Sequence, residues 1–235
     1  MKIAVLILLL SWHNLQLFYS QSIEKASFFV ESVSVTKGKK VTTNANTFLD
    51  MLNGEMVSYF YKPMEFIVKT NIFGESKVYY PETNQVILDT DEKYSFKNDF
   101  FVEMVTNPGF DMGLSGLGMV YDNERVEDGL TIITWKNKEL VNSPVATIEL
   151  VYQEQKPVCS IYYSKENKII RKIYYSNYIM ITDILFPARV TEILYTTEND
   201  SIINRKVYSN IMVNDSVNPD KLNFQIPLNA KLLSK

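Results

Sequence analysis

From about Met56 onward, the pattern of apolar and polar residues along the chain predicts mainly β-strands. Short runs rich in β-branched and aromatic residues are separated by Pro, Gly, Asn and Asp, as in antiparallel strands joined by tight turns. Ile148, Leu150 and Tyr152 alternate with polar residues, which predicts one apolar face and one face towards water. The predicted strands are MVSYFYKP, MEFIVKTN, SKVYYP, NQVILD, LTIITW, ATIELVYQ, PVCSIYYS, KIIRKIYYS, ARVTEILYTT and INRKVYSNIMV.

The two ends of the chain extend this pattern. Ile203, Val207 and Ile211 are predicted to share the apolar face of the last long strand, and ASFFVESVSVT predicts a first strand. The stretch NTFLDMLNGE allows two interpretations, because apolar residues four apart suit a helix and a strand fits nearly as well. Ten to eleven strands exceed what a flat sheet holds, so we predict a mainly β (α+β) fold in which a curved antiparallel sheet forms an incomplete barrel or splits into a sandwich.

The region 93–128 departs from the strand pattern. Phe96, Phe100 and Met104 fall at helical spacing after Ser95, a residue type that caps helices. We therefore expect a helix here, within an insertion of helical and loop structure that lies on the concave side of the sheet.

The helix is expected to end at Asn107-Pro108-Gly109. A second apolar stretch, MGLSGLGMV, follows with Leu114, Leu117 and Met119 among three glycines. One interpretation is that the insertion only plugs the open side of the sheet. The other is a lid over an apolar cavity, since Met, Phe and Gly suit a surface that repacks around variable apolar ligands.

Composition indicates a globular chain with no nucleic-acid surface. Apolar residues make up 46% and charged residues 22%, with a formal net charge of −3, which is typical of foldable domains. The 24 basic residues are scattered among 27 acidic ones, whereas a phosphate-binding surface requires clustered Lys and Arg. We expect a monomer, a single domain over residues 22–235, and no nucleic-acid partner.

The first residues have the layout of a secretory signal. Lys2 precedes eight apolar residues, 3–10, and Ser20 and Ser22 follow at the spacing of a cleavage site. Eight residues span about 12 Å of helix against a hydrocarbon core of about 30 Å, which disfavours a membrane anchor. The sequence therefore predicts a signal peptide, residues 1–21, cleaved near Ser20 to Ser22.

Removal of this segment also removes His13, which is the only histidine. Cys159 is the only cysteine and is expected to be a small buried residue. Histidine-dependent catalysis and Cys/His metal sites are then excluded, and we expect no enzyme, no cofactor and no metal. The carboxylates Asp50, Glu55 and Glu75 could form an acid–base pair, but their places beside glycines and turns favour solvated turn residues.

Several stretches, taken in order, resemble the LolA-like superfamily of bacterial outer-membrane lipoprotein carriers. Gly54 precedes an aromatic strand, a basic-Pro step and a return strand, and KVYYPETNQV resembles the next hairpin. The end of the chain, NPDKLNFQIPLNAKLL, is similar to the closing signature of that superfamily, with Phe224, Pro227 and Ala230 at its positions. Lys62 stands where that motif usually has Arg.

The resemblance implies a non-enzymatic periplasmic carrier that shields acyl chains of lipoproteins or lipids and delivers them towards the outer membrane. It also implies an inner-membrane release complex and an outer-membrane acceptor as partners, with Lys62 in a gating position. A binding or sensor module on the same fold is the alternative. The candidate residues of the acyl cavity and its lid are Phe60, Phe66, Phe96, Phe100, Met104, Leu114, Leu117, Met119, Ile148 and Leu150.

Overall fold

The computed structural model describes residues 22–107, 109–138, 143–196 and 200–233. The predicted signal peptide, 1–21, lies outside the described residues. The strands of the described part are β1 (Lys25–Thr36), β2 (Lys39–Asp50), β3 (Glu55–Lys62), β4 (Phe66–Asn71), β5 (Glu75–Tyr80), β6 (Gln85–Thr90), β7 (Met119–Glu127), β8 (Leu130–Asn137), β9 (Thr147–Gln153), β10 (Lys156–Tyr163), β11 (Ile169–Ile181), β12 (Ile184–Tyr195), β13 (Ser201–Val213) and β14 (Lys231–Leu232). The helices are α1 (Phe100–Thr106) and α2 (Pro219–Leu222), with 3₁₀ turns at Glu92–Tyr94, Phe96–Asn98, Leu114–Leu117 and Asn214–Ser216.

All fourteen strands that the structure describes lie in one sheet, which is not closed into a barrel. The spatial order is β14-β6-β5-β4-β3-β2-β1-β13-β12-β11-β10-β9-β8-β7. Neighbours are antiparallel except for the short parallel pair of β14 with β6. The predicted fold class is confirmed. Three strands are absent from the prediction: β2, whose stretch also allowed a helix, β7, which lies in the predicted insertion, and the two-residue β14.

The sheet curves around α1. Phe101 on α1 is fully buried, and its ring lies 4.8 Å from Phe28 on β1 and 5.1 Å from Phe186 on β12. The same cluster contains buried side chains from β2, β11 and β13. Five flat adjacent strands would span about 19 Å, whereas a helix is about 10 Å wide. Contact with all five therefore requires the sheet to curl, which makes the face that carries α1 the concave one.

The stretch that allowed two interpretations forms a strand and a turn. β2 continues to Asp50, whose side chain accepts hydrogen bonds from the backbone N–H groups of Leu52 and Asn53. Gly54 has φ +63°, and a Cβ there would lie 2.0 Å from Cγ2 of Ile72 in the turn between β4 and β5. The stretch up to Asp50 pairs with β1 on one side and β3 on the other, and these tertiary contacts decide against the helix.

The helical segment, which we define as 92–107 and 109–118, is shorter than predicted. Asp99, rather than Ser95, caps α1 by accepting from the N–H groups of Phe101 and Val102. The expectation that helix and loop extend to residue 128 is wrong, because 119–127 form the edge strand β7. The many charged residues of β7 obscure the strand pattern in the sequence. Such charges are common on exposed edge strands. No helix in the described part of the chain is long and apolar enough to cross a membrane.

The predicted apolar face of β13 is also wrong in part. Tyr208 is buried, whereas Ile203 is 38% exposed and, with Val207, lies on the face opposite Tyr208. Asn210 has a positive φ, and β13 gains one residue relative to β1 at this point. This bulge reverses the alternation, so Ile211 packs against the same buried cluster as Tyr208.

The C-terminal segment crosses the convex face of the first half of the sheet. Phe224 packs against Tyr59 and Tyr79, at 5.9 and 6.0 Å between ring centroids. The Tyr59 hydroxyl donates a hydrogen bond of 2.9 Å to the carbonyl of Lys221. β14 then pairs with β6. The closing motif noted in the sequence is therefore a strap that stabilises β3, β5 and β6.

Candidate functional site

A cavity of about 290 Å³ lies between the helical segment and strands β9 to β13. Six of the ten apolar residues predicted for the acyl cavity line it, from α1, from the turn 114–117 and from β9. These six are Phe100, Met104, Leu114, Leu117, Ile148 and Leu150. The structure therefore brings them to one place, and their role in binding stays a prediction.

The apolar wall has a fixed part and an exposed part. Ile148 and Leu150 are 4% and 1% exposed on β9, because their alternation points both side chains to the concave face. Leu117 is 70% exposed. It ends a 3₁₀ turn that is flanked by Gly113 and Gly118, both with positive φ. The turn therefore sits between two positions that favour glycine.

The other predicted residues lie elsewhere. Phe96 and Met119 are buried beside the cavity, in the clusters that flank it, and do not line it. Phe60 and Phe66 stack on each other at 4.4 Å on β3 and β4, far along the sheet from the cavity. Lys62 is exposed at the end of β3, and its gating role stays a prediction.

The opposite wall of the cavity carries charged and polar groups beside Ile173 and Val190, and the sequence pattern did not indicate these groups. Nε of Arg171 on β11 lies 2.6 Å from Oε1 of Glu192 on β12. Nδ2 of Asn204 on β13 donates a hydrogen bond of 3.1 Å to Oε2 of the same carboxylate. Lys206, two residues along β13, also lines the cavity. One signal was available in the sequence: Arg171 lies two residues before the inward-facing Ile173 and is therefore on the same face of β11. The other polar residues could be assigned to this wall only once the pairing of the strands was known.

Two carboxyl groups of the helical segment have shifted titration. Partial burial raises the pKa of Glu103, which lines the cavity, and the nearby Arg171 opposes this shift. Burial also raises the pKa of Asp99, against the effect of Lys206 and of the two backbone N–H groups that Asp99 caps. In both groups desolvation is the larger effect, so the folded chain disfavours the charged carboxylates.

The middle of the cavity floor is a buried hydroxyl pair. Ser160 on β10 and the Tyr175 hydroxyl on β11 share a hydrogen bond of 3.0 Å, and burial raises the pKa of Tyr175 well above its ordinary value. The neighbouring Cys159 faces the other side of β10 and packs with Ile132 and Val151. Its burial is confirmed and raises the pKa of its thiol to about 11, so the cysteine is a packed side chain in its thiol form.

The carboxylates considered for acid–base chemistry stabilise turns and strands. Glu55 forms an ion pair of 3.0 Å with Lys69, and Oε2 of Glu75 accepts a hydrogen bond of 2.7 Å from Asn71. Asp50 caps the turn after β2, as described above. Among the described residues, no group of three or more His, Cys, Asp and Glu is arranged to hold a metal ion.

A second, more open hollow of about 500 Å³ lies on the other side of α1. Its walls include Met56, Val68 and Ile87 from the concave face of β3, β4 and β6, and Asp99 closes it on the helix side. Asn98 lines both hollows. The helical segment is therefore flanked by cavities within one concave surface.

No family model matches the sequence, and no curated protein matches it. Solved structures do resemble the fold. A DUF1329 family protein from Desulfovibrio piger superimposes with a TM-score of 0.55 over 87% of this chain and 91% of that chain, at 14% identity. A LolA superfamily protein from Nitrosomonas europaea gives 0.53 over 86% and 90%, at 10% identity.

An outer membrane lipoprotein-sorting protein domain from Vibrio parahaemolyticus gives a TM-score of 0.54 over 85% of this chain and 89% of that chain, at 10% identity. At such identities the likeness concerns the fold. The chain has a LolA-like fold, which confirms the fold that the resemblance noted in the sequence implied.

Proposed function

We propose that the chain is an exported, periplasmic carrier that shields an acyl chain of a lipid or lipoprotein and delivers it towards the outer membrane. The observation that carries this proposal is the cavity beneath the helical segment, with its apolar wall of Met104, Leu114, Ile148 and Leu150. The LolA superfamily and lipoprotein-sorting names of two similar structures support it.

The energetics suit such a ligand. Each buried methylene contributes about 0.8 kcal/mol, so a chain of about twelve carbons gains about 10 kcal/mol on leaving water. Useful delivery also requires release, which favours an adaptable wall over a tightly complementary one. Met104 and Met112 supply flexible side chains to this cavity, and the glycine-flanked turn at Leu114–Leu117 lies beside them.

A binding or sensor module on the same fold is the second candidate. It is favoured by the packing in the middle of the concave face, where Phe101 is fully buried between Phe28 and Phe186. This part of the surface is filled as a protein core is filled. A carrier would then use the flanking cavity and not the whole concave face.

Native mass spectrometry of the mature protein, purified from the periplasm of its own cell, tests the proposal. A carrier is expected to retain a lipid or lipoprotein, and the delipidated protein should bind a fluorescent fatty acid and release it to vesicles. Retention of no lipid, together with no binding of the fatty acid, would contradict the proposal. Binding without release would favour the sensor.

A further inference from the structure

The cavity has two chemically different ends, and the separation between them restricts what it can hold. β9 supplies only the apolar residues Ile148 and Leu150, whereas β11, β12 and β13 supply the charged Arg171, Glu192 and Lys206 beside the apolar Ile173 and Val190. β9 and β12 are three intervals apart in the sheet, which is about 14 Å at ordinary strand spacing. A ligand that contacts both ends therefore needs an apolar part and a polar part on opposite sides.

The cationic groups at the polar end keep hydrogen-bond donors available. Arg171 uses its Nε towards Glu192 and lies over the ring of Tyr162, 4.9 Å from the centroid. Within the residues that the structure describes, this buried Nε has no hydrogen-bond partner, although it lies 2.6 Å from Oε1 of Glu192 in an ion pair. Among the same described residues Lys206 forms no ion pair, and its side chain interacts electrostatically with Asp99.

The carboxylates at this end are less available than the cations. Glu192 is held on one oxygen by Arg171 and on the other by Asn204, so its charge is compensated by its neighbours. Asp99 is committed to the backbone N–H groups at the start of α1. Glu103 is the remaining acid: desolvation raises its pKa, and the nearby Arg171 opposes this shift.

Volume limits the apolar part. A dry cavity of about 150 Å³ accommodates one benzene ring of six carbons, so the 290 Å³ found here, polar end included, suits a ligand of about a dozen non-hydrogen atoms by the same measure. This is room for one acyl chain.

We infer that the cavity takes a single-chain amphiphile with an anionic head, its chain against Ile148 and Leu150 and its head on Lys206 and Arg171. This inference rests on the proposed function and narrows it to one chemical class of ligand. Fatty-acid carboxylates and single-chain lipid phosphates share the required chemistry, since both accept charge-assisted hydrogen bonds from Lys and Arg.

Binding of matched twelve-carbon ligands to the delipidated mature protein tests this inference. Dodecanoate, dodecyl phosphate, 1-dodecanol and dodecyltrimethylammonium are titrated at pH 8 below micelle-forming concentrations, and affinity is read by displacement of a fluorescent probe. At least one anionic ligand should bind about tenfold more tightly than the neutral and cationic ones, because a charged hydrogen bond contributes on that scale. The better of the two anions identifies the head as carboxylate or phosphate.

Lys206→Gln locates the head, and Arg205→Gln is its matched control. Both residues are exposed on β13, and each change removes one positive charge, but Arg205 does not line the cavity. Lys206→Gln should weaken the anionic ligand about tenfold and leave 1-dodecanol unchanged, whereas Arg205→Gln should alter neither. Thermal melting of both variants checks that they fold.

The possible failures are distinguishable. Equal affinity for all four heads, or no effect of Lys206→Gln on an anionic ligand, would overturn the inference while the carrier proposal stands. Binding of none of the four ligands would overturn the inference and also contradict an acyl-chain cavity at this site.

Discussion

The ring of Phe101 on α1 stacks on the ring of Phe28 on β1, with 4.8 Å between centroids and 30° between planes. Phe28 in turn packs edge-on against Tyr208 on β13, at 5.3 Å. The contact joins the helical segment to the two strands at which the halves of the sheet meet. The position of α1, and with it one wall of the cavity, depends on this aromatic cluster.

Phe101→Ala should therefore lower the free energy of unfolding by about 3–5 kcal/mol, because it leaves a cavity among fully packed rings. Phe73→Ala is the control, since Phe73 is 74% exposed in a turn and its truncation should cost less than about 0.5 kcal/mol. Urea unfolding measures both. Equal losses would mean that the stacking at α1 contributes no more than an exposed ring.

Leu117→Glu should weaken the binding of a fluorescent fatty acid while the fold survives. Leu117 lines the cavity but is 70% exposed, so a charge there meets water in the free protein and is buried only against a bound chain. Leu150→Ala should instead cost about 2–5 kcal/mol of stability, since Leu150 is fully packed on β9. Probe titration and thermal melting on both variants separate the two effects.

The same pair distinguishes a lid from a plug. If Leu117→Glu lowers the melting temperature as much as Leu150→Ala does, the turn at 114–117 is ordinary core. If Leu117→Glu leaves both the melting temperature and the probe affinity unaltered, Leu117 is not part of the binding surface.

Asp99→Asn should change how stability depends on pH. The pKa of Asp99 is raised above its ordinary value of 3.8, mainly by burial, so the folded chain holds this proton more tightly than the unfolded chain. Stability from this group is therefore lost as pH rises from about 4 through the raised pKa. Asn caps helices as well as Asp does and does not ionise.

Urea unfolding of Asp99→Asn and of the unmodified chain, at pH 4 and pH 7, measures this effect. The variant should gain stability relative to the unmodified chain as pH rises, although the lost attraction to Lys206 reduces the gain. A difference between the two proteins that is constant with pH, or that falls, would contradict the assignment.

Gly54→Ala should destabilise the chain more than Gly129→Ala. Both glycines have positive φ, but a Cβ at Gly54 would lie 2.0 Å from Cγ2 of Ile72, whereas a Cβ at Gly129 meets nothing within 4 Å. The free-energy cost of placing Ala at a positive φ is thus common to both variants. The additional destabilisation of Gly54→Ala, about 1–3 kcal/mol, measures the steric overlap with Ile72. Chemical denaturation of both variants measures the excess. Equal destabilisation would mean that the turn around Ile72 moves aside at no cost.

Local patterns in the sequence determined the strands and part of the cavity wall. Ile148 and Leu150 were assigned to one apolar face from alternation alone, and both line the cavity. The period of two is a property of the strand itself, so it can be read without knowing any neighbour. The same holds for the end of the helix at Asn107, which a local signal marks, whereas the helix starts after Asp99 and not after Ser95.

The polar wall and the interruptions of the pattern were decided by tertiary structure. Arg171, Glu192 and Asn204 meet because β11, β12 and β13 pair in one register, and the sequence does not state which strands pair. The bulge at Asn210 reversed the face of Ile211, and contact with Ile72 fixed the turn at Gly54. Each of these features depends on residues far apart in the chain. The contacts between such residues stabilise the structure only once the sheet has formed.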